Sequence, residues 1–275
     1  MLASKFTVEG TEVIVEGQGA HTIVMVHGWP DTHRVWDGAV KALQGQYRCV
    51  RFTFPGFGAE PAGPARSLDD LTRLLLAIVD QASPDQPVTL LLHDWGCFFG
   101  YELASRHPDR IARVVGLDIG DTSSPAYLRS LTLAHKAMIL VYQLWLATAW
   151  VLGRFVNAAL GNGLTRFMAR GMRCPAASAD IHWTMNFPYA MAWFELAGGL
   201  QKATPFTPHC PMLFVYGKSK PLMFHSREWV DSLNARPGSQ AVGLPCGHWL
   251  MLDQASEFEG LLTGWLHSGS ATMEP

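Results

Sequence analysis

Six short runs rich in branched and aromatic apolar residues, at 22–26, 48–52, 88–92, 111–118, 212–216 and 240–244, recur along the 275-residue chain with helical patterns between them. Runs that are apolar throughout are buried on both faces, and strands separated by helices return parallel to one another. The alternation predicts an α/β fold, a mostly parallel sheet covered by helices on each side. A chain of this length buries a sizeable core in one large domain, or in one domain carrying an insertion, with no need of disulfide or metal staples.

The alternation stops between 121 and 205. Long helical patterns such as 131–152 take over, and Gly153, Gly161, Gly163, Gly171 and Pro175 read as their breaks. The organisation expected is therefore a core domain over 1–120 and 206–275 with a helical cap inserted at 121–205. The insertion carries seven Lys/Arg against three Asp/Glu, a net +4, while the remainder carries −6. There is no internal repeat and no low-complexity tract.

Composition closes off several classes. A net charge of −2 offers no cationic footprint for nucleic acid, whose binders displace counterions with clustered Lys and Arg. The five cysteines form no C-x-x-C pair, so neither a disulfide framework nor a zinc ribbon is expected, and a reducing cytoplasm fits best. Residues 1–18 alternate apolar and polar residues, with Glu9, Glu12 and Glu16 among the latter, and lack the basic start and apolar block of a signal peptide, so they read as strand and turn. The run 137–153 holds seventeen residues without a charge but includes Gln143 and Thr148. It is shorter than the roughly 20 apolar residues of a membrane span. It reads as a buried or lid helix, with an anchor at a membrane surface as the lesser alternative and a true span as the least favoured. Ten tryptophans and a mean hydropathy slightly above zero point to apolar surface reserved for something besides the core.

The segment Leu90-Leu91-Leu92-His93-Asp94-Trp95-Gly96 reads as a buried strand that ends in two polar residues and turns sharply into a helix. Such an elbow lifts its apex side chain above the carboxyl edge of the sheet, where α/β proteins bind ligands. The apex is Asp94. A carboxylate there either attacks an sp³ carbon to form an ester or caps the following helix, and the elbow alone does not choose. Two other segments favour the nucleophile. His27-Gly28-Trp29-Pro30 follows the 22–26 strand, so its backbone N–H groups can face the same edge and hold an oxyanion. Cys246-Gly247-His248-Trp249 follows the last strand, and a histidine on that loop can reach the apex as a base.

These segments, with Pro55-Gly56-Phe57-Gly58, resemble the alpha/beta-hydrolase superfamily, in the branch of epoxide hydrolases and haloalkane dehalogenases and nearest the former. The resemblance runs from about residue 24 to 266, with 121–205 as the cap, and implies a cis peptide at Trp29-Pro30. The chain departs from the pattern at Leu92, where a small residue usually stands and where bulk crowds the turn. It departs again at Tyr216-Gly217-Lys218-Ser219-Lys220-Pro221, which carries no acid where many members place the third triad residue. Some relatives place that acid after the preceding strand, where this chain has Asp118, with Asp121 in reserve. An acceptor there fixes the tautomer of the imidazole; the alternative for Asp118 is a strand-end carboxylate bonded to nearby backbone.

The resemblance implies an alkyl ester on Asp94, hydrolysed by water that His248 activates, with the backbone N–H groups of Trp29 and Trp95 at the oxyanion. For an epoxide it further implies two cap tyrosines as proton donors. Tyr142 in Tyr142-Gln143-Leu144-Trp145 and Tyr189 in Asn186-Phe187-Pro188-Tyr189 match those motifs, against the alternative that each is a core tyrosine. Haloalkane dehalogenation is the main alternative, since the indoles of Trp29 and Trp95 could point at a halide. Fluoroacetate dehalogenases carry arginines where this chain has Trp95 and Phe98, and a serine esterase lacks its Ser at the elbow. A non-catalytic receptor on the same fold, resting on membrane through its cap, is the alternative of another class. The expected substrate is small, apolar and uncharged, with no cofactor and no metal, and the expected assembly is a monomer or homodimer.

Overall fold

The computed structural model describes residues 3–58 and 65–268. Eight strands form one sheet: β1 (Ser4–Val8), β2 (Thr11–Glu16), β3 (Thr22–Val26), β4 (Arg48–Phe52), β5 (Val88–His93), β6 (Ile111–Leu117), β7 (Met212–Gly217) and β8 (Gln240–Leu244). Their order is β1-β2-β4-β3-β5-β6-β7-β8. β1 and β2 form an antiparallel hairpin against β4, and every later pairing is parallel. The reading of 1–18 as strand and turn thus holds for the described residues.

The strand side chains alternate between two cores. Val24, Val26, Val50, Leu90, Leu92 and Val114 point to the face covered by α2 (Leu68–Ala82), α3 (Trp95–Arg106) and α8 (Arg227–Asn234). Ile23, Met25, Cys49, Leu91, Val115 and Leu213 point to the face covered by α1 (Asp37–Leu43), α9 (Leu250–Asp253) and α10 (Ala255–Ser268). Burial on both faces is what makes the six runs apolar at successive positions. Helix α2 starts at a capping box, in which the Ser67 hydroxyl accepts from Asp70 N and the Asp70 carboxylate accepts from Ser67 N.

Between β6 and β7 the chain builds α4 (Pro125–Ser130), α5 (Leu133–Phe155), α6 (Ala158–Gly171) and α7 (Phe187–Phe194), with no strand among them. Three of the expected helix breaks lie within helices, Gly153 in α5 and Gly161 and Gly163 in α6, while Gly171 ends α6. The reason is a close crossing. A Cβ on Gly161 would stand 2.6 Å from Gly153 Cα, and a Cβ on Gly153 would stand 2.3 Å from the Trp183 ring. Glycine lets the two backbones and the indole touch, so at these positions it packs the helices rather than ending them.

Candidate active site

Strand β5 delivers Asp94 at its carboxyl end, with φ 54° and ψ −124°. A non-glycine residue in that region is strained, and only surrounding packing sustains it. The packing is tight enough to specify glycine twice. A Cβ on Gly96 would stand 2.2 Å from Val26 O, and one on Gly28 would stand 2.4 Å from Trp95 N and 2.5 Å from Asp94 Oδ1. Asp94 occupies the N-cap position of α3, yet its side chain makes no cap hydrogen bond. Its Oδ1 instead accepts from Trp29 N at 2.6 Å. The carboxylate has been turned away from the helix.

Leu92 does not disturb this turn, because α3 makes room for it. A Cβ on Gly100 would stand 2.4 Å from Leu92 Cδ2, so the bulk two residues before the apex is accepted by the absence of a side chain one helical turn on.

His248, on the loop after β8, lies with Nε2 3.4 Å from Asp94 Oδ2 and Nδ1 2.5 Å from Asp118 Oδ2. Asp118 follows β6 directly and is fully buried, with φ 70°. Its other oxygen accepts from Gly217 N at 3.0 Å and from Lys220 Nζ at 2.6 Å. Asp121 does not approach His248: it accepts from Ser226 N and Ser226 Oγ, each at 2.7 Å, and so anchors the start of α8.

The electrostatics follow from this burial and pairing. Desolvation works against a charge on His248, but its hydrogen bonds to Asp118 and Asp94 outweigh it and raise its pKa to about 9. Burial alone would raise Asp94 and Asp118. His248 and the Trp29 N–H hold Asp94 below the usual carboxylate range, and Lys220 with His248 holds Asp118 far below it. Burial in turn lowers Lys220 despite its anionic partner. In this state the site is an imidazolium between two carboxylates.

A cavity of about 530 Å³ opens above Asp94, walled by Trp95, Phe98, Ile119 and Phe224 from the sheet side and by Tyr127, Tyr142 and Tyr189 from the helical insertion. The rings of Tyr142 and Tyr189 are 6.2 Å apart, and Tyr189 stands edge-on to Trp95 at 5.2 Å and to Trp29 at 6.0 Å. Burial raises both phenols, Asp94 nearby adding to it, so both are protonated donors. The structure therefore brings together Asp94, His248, Asp118, Trp29, Trp95, Tyr142 and Tyr189. The Trp29-Pro30 bond is cis.

Four neighbours escape sequence reasoning. Lys220 is one. Asn186 is another: its Oδ1 accepts the Trp29 indole N–H at 2.7 Å, and its Nδ2 donates to Thr165 Oγ1 at 2.7 Å. His93 is fully buried and its pKa is lowered to about 3; its Nε2 lies 3.2 Å from His248 O, which assigns the proton to that nitrogen. Asp31 accepts from the Trp249 indole at 2.9 Å, and burial pushes its pKa up to about 7. A polar residue within two positions of each motif is the one signal that could have found Asp31 and His93. The histidine of the 27–30 motif is structural: Nδ1 donates to Gly28 O and Nε2 accepts from Phe54 N, each at 3.0 Å.

The chain belongs to the alpha/beta hydrolase fold family, which it matches over residues 21–188. Among curated proteins it resembles epoxide hydrolase srdG of Neurospora crassa, 36% identical over 33% of this chain and 28% of that protein. It also resembles a haloalkane dehalogenase of Mycolicibacterium smegmatis, 33% identical over 35% of this chain and 32% of that protein. A probable oxidoreductase EphD of Mycobacterium tuberculosis is 34% identical over 38% of this chain, and the match covers only 19% of EphD. Among solved structures, an epoxide hydrolase of Bacillus megaterium in complex with its diol product superposes with TM-score 0.71 at 18% identity, over 96% of this chain and 100% of that one. A putative epoxide hydrolase of Pseudomonas aeruginosa superposes with TM-score 0.72 at 20% identity, over 99% and 97%. The fold is thus that of epoxide hydrolases along almost its whole length.

Proposed function

We propose that the protein hydrolyses an epoxide to a vicinal diol through an ester on Asp94. The observation that carries this reading is the placing of two protonated phenols, Tyr142 and Tyr189, in the wall of the cavity that holds Asp94. An epoxide oxygen leaves as a strongly basic alkoxide and requires a proton from the side opposite the nucleophile. A halide requires N–H donors alone. Of the two indoles that could supply them, Trp29 has its N–H engaged by Asn186 Oδ1. That observation weighs against haloalkane dehalogenation.

In the first step an Asp94 oxygen attacks a ring carbon. The C–O bond breaks toward oxygen, which takes a proton from Tyr142 or Tyr189. The ester leaves Asp94 without its charge. His248 then loses one of the two anions that held its pKa near 9, and its proton passes to the phenolate. The neutral imidazole, oriented by Asp118, takes a proton from water as the oxygen attacks the ester carbonyl carbon. Donors already at the site, Trp29 N–H and Trp95 N–H, suit the oxyanion. Collapse expels the diol oxygen, which takes the acid proton of Asp94, and the starting charges return. These steps call for no metal and no organic cofactor. The apolar walls fit a small, uncharged, apolar epoxide, and the inserted helices serve as the cap that keeps water scarce.

The test is a panel of aliphatic and aryl epoxides beside haloalkanes on purified protein, scoring diol and halide separately. Diol formation with the ester trapped on Asp94 supports the proposal; halide release without diol overturns it.

A further inference from the structure

Helix α5 has an inner stripe and an outer one. Leu146, Ala147, Ala149 and Trp150 are buried against the rest of the insertion. Outward, Leu133 is 85% exposed and Val141 63% exposed, with Met138 and Leu140 beside them. On α6 Phe167 is 62% exposed and its ring meets that of Trp145 on α5 at 5.5 Å, so the apolar surface continues from one helix to the next. α5 has the length and hydropathy of a membrane-spanning helix, with only 22% of its most apolar window buried. An apolar surface of this extent marks an interaction site.

Its charge says what kind. Between residues 122 and 179 there are six Lys/Arg and no Asp/Glu. Lys136, Arg170 and Arg173 are exposed, at the start of α5 and at the end of α6. Apolar helical faces edged by cations are the complement of an anionic lipid surface. A second copy meeting this patch across a two-fold axis would bring the cations against one another with no acid from this stretch to offset them. The inner stripe argues against a span, since drawing α5 through a bilayer would strip the cavity of Tyr142.

The mouth of the cavity opens in the same patch. Leu128, Leu140, Trp193 and Lys136 line the cavity and are also exposed. We propose that the outer face of α5 and α6 docks on an anionic lipid surface, with the cavity mouth inside the contact, so that apolar ligands pass between bilayer and site without crossing water. The passage of substrate rests on the epoxide reading; the docking does not.

The test is sedimentation of the full chain with vesicles of phosphatidylcholine alone or mixed in equal parts with phosphatidylglycerol, alongside its mass in solution. We expect a monomer that pellets with the mixed vesicles at low salt, stays in the supernatant with phosphatidylcholine, and is released by salt. Arg170→Ala should lower partitioning about fivefold, the effect of one cation near an anionic surface. Combining Leu133→Glu, Val141→Glu and Phe167→Glu, none of which lines the cavity, should abolish pelleting with turnover unchanged. Arg170→Glu with Arg173→Glu provides the same test with the apolar face intact. Failure to pellet, equal pelleting with both vesicles, pelleting that survives both sets of changes, a dimer that the glutamates dissociate, or resistance to alkaline carbonate each overturns the proposal. Turnover is read separately, so loss of epoxide activity and loss of docking are distinguishable.

Discussion

Lys220 Nζ lies 2.6 Å from Asp118 Oδ1, on the carboxylate oxygen that His248 does not use. The cation and the imidazole therefore compete for one buried anion. Lys220→Met should leave more of that anion to His248, hold its proton more tightly and move the rise of the pH–rate profile to more alkaline pH. Breaking a buried pair should also cost about 3 kcal/mol of stability. A pH–rate profile and a urea midpoint measured on the same preparation check both, and an acid shift of the profile would contradict the competition.

The two phenols should behave alike. Tyr142→Phe or Tyr189→Phe should each lower epoxide turnover by about 10² to 10³, the effect of removing one preorganised donor, and the double change should exceed either. Steady-state diol formation measures this. A Tyr127→Phe control, at a third tyrosine that lines the same cavity, should have a smaller effect.

His248→Gln removes the base while leaving Asp94 to attack. Turnover should fall by about 10² to 10⁴, and the protein should gain the mass of one substrate on Asp94. Intact-protein mass spectrometry after mixing with epoxide reads this, and an unmodified, fully active variant would sink the base assignment.

Stability should carry the same signature. The His248 pKa rises from 6.5 to about 9 on folding, so its contribution is complete below pH 6.5 and is lost as pH climbs through 9. Burial of Asp31 removes stability in a lower window, as pH rises from 3.8 through about 7. Urea midpoints from pH 6.5 to 9 should fall for the wild type, and the fall should be shallower in His248→Gln.

A coupled pair tests the elbow. Gly100→Ala should destabilise by about 1 to 3 kcal/mol through overpacking against Leu92. Leu92→Ala should cost about 2 to 5 kcal/mol through the space it leaves. Placed together, the two should be less damaging than their sum, because the new methyl group enters that space. Thermal midpoints of the four proteins close the cycle.

The strands were legible because their burial is local. Runs read at 22–26, 48–52 and 240–244 are β3, β4 and β8 to the residue. β5 and β7 each extend one residue further, since His93 and Gly217 still pair with Leu117 and Leu244. β6 stops one residue sooner, where Asp118 enters positive φ. Motif residues were legible because an elbow, an N–H loop and a late histidine each have a local form. Partners across the fold have none. Lys220 is 102 residues from Asp118, and Asn186 is 157 residues from Trp29. Their side chains meet only after the sheet has ordered its strands. Gly153 and Gly161 misread for the same reason, since what they accommodate is the Trp183 indole and the backbone of the neighbouring helix.

The chain of hydrogen bonds from Trp29 through Asn186 and Thr165 to Gly161 O ties the loop after β3 to the inserted helices. Swinging those helices away as a body would break the first of these bonds and leave the Trp29 indole N–H and Asn186 Oδ1 unpaired, at about 1 to 3 kcal/mol apiece until water reached them, while the other two bonds would travel with the insertion. The insertion is thus tied to the core beside the cavity, whose exposed rim is formed by Leu128, Leu140 and Trp193. On the proposed reaction, a product should therefore leave by side-chain movement at that rim rather than by a hinge.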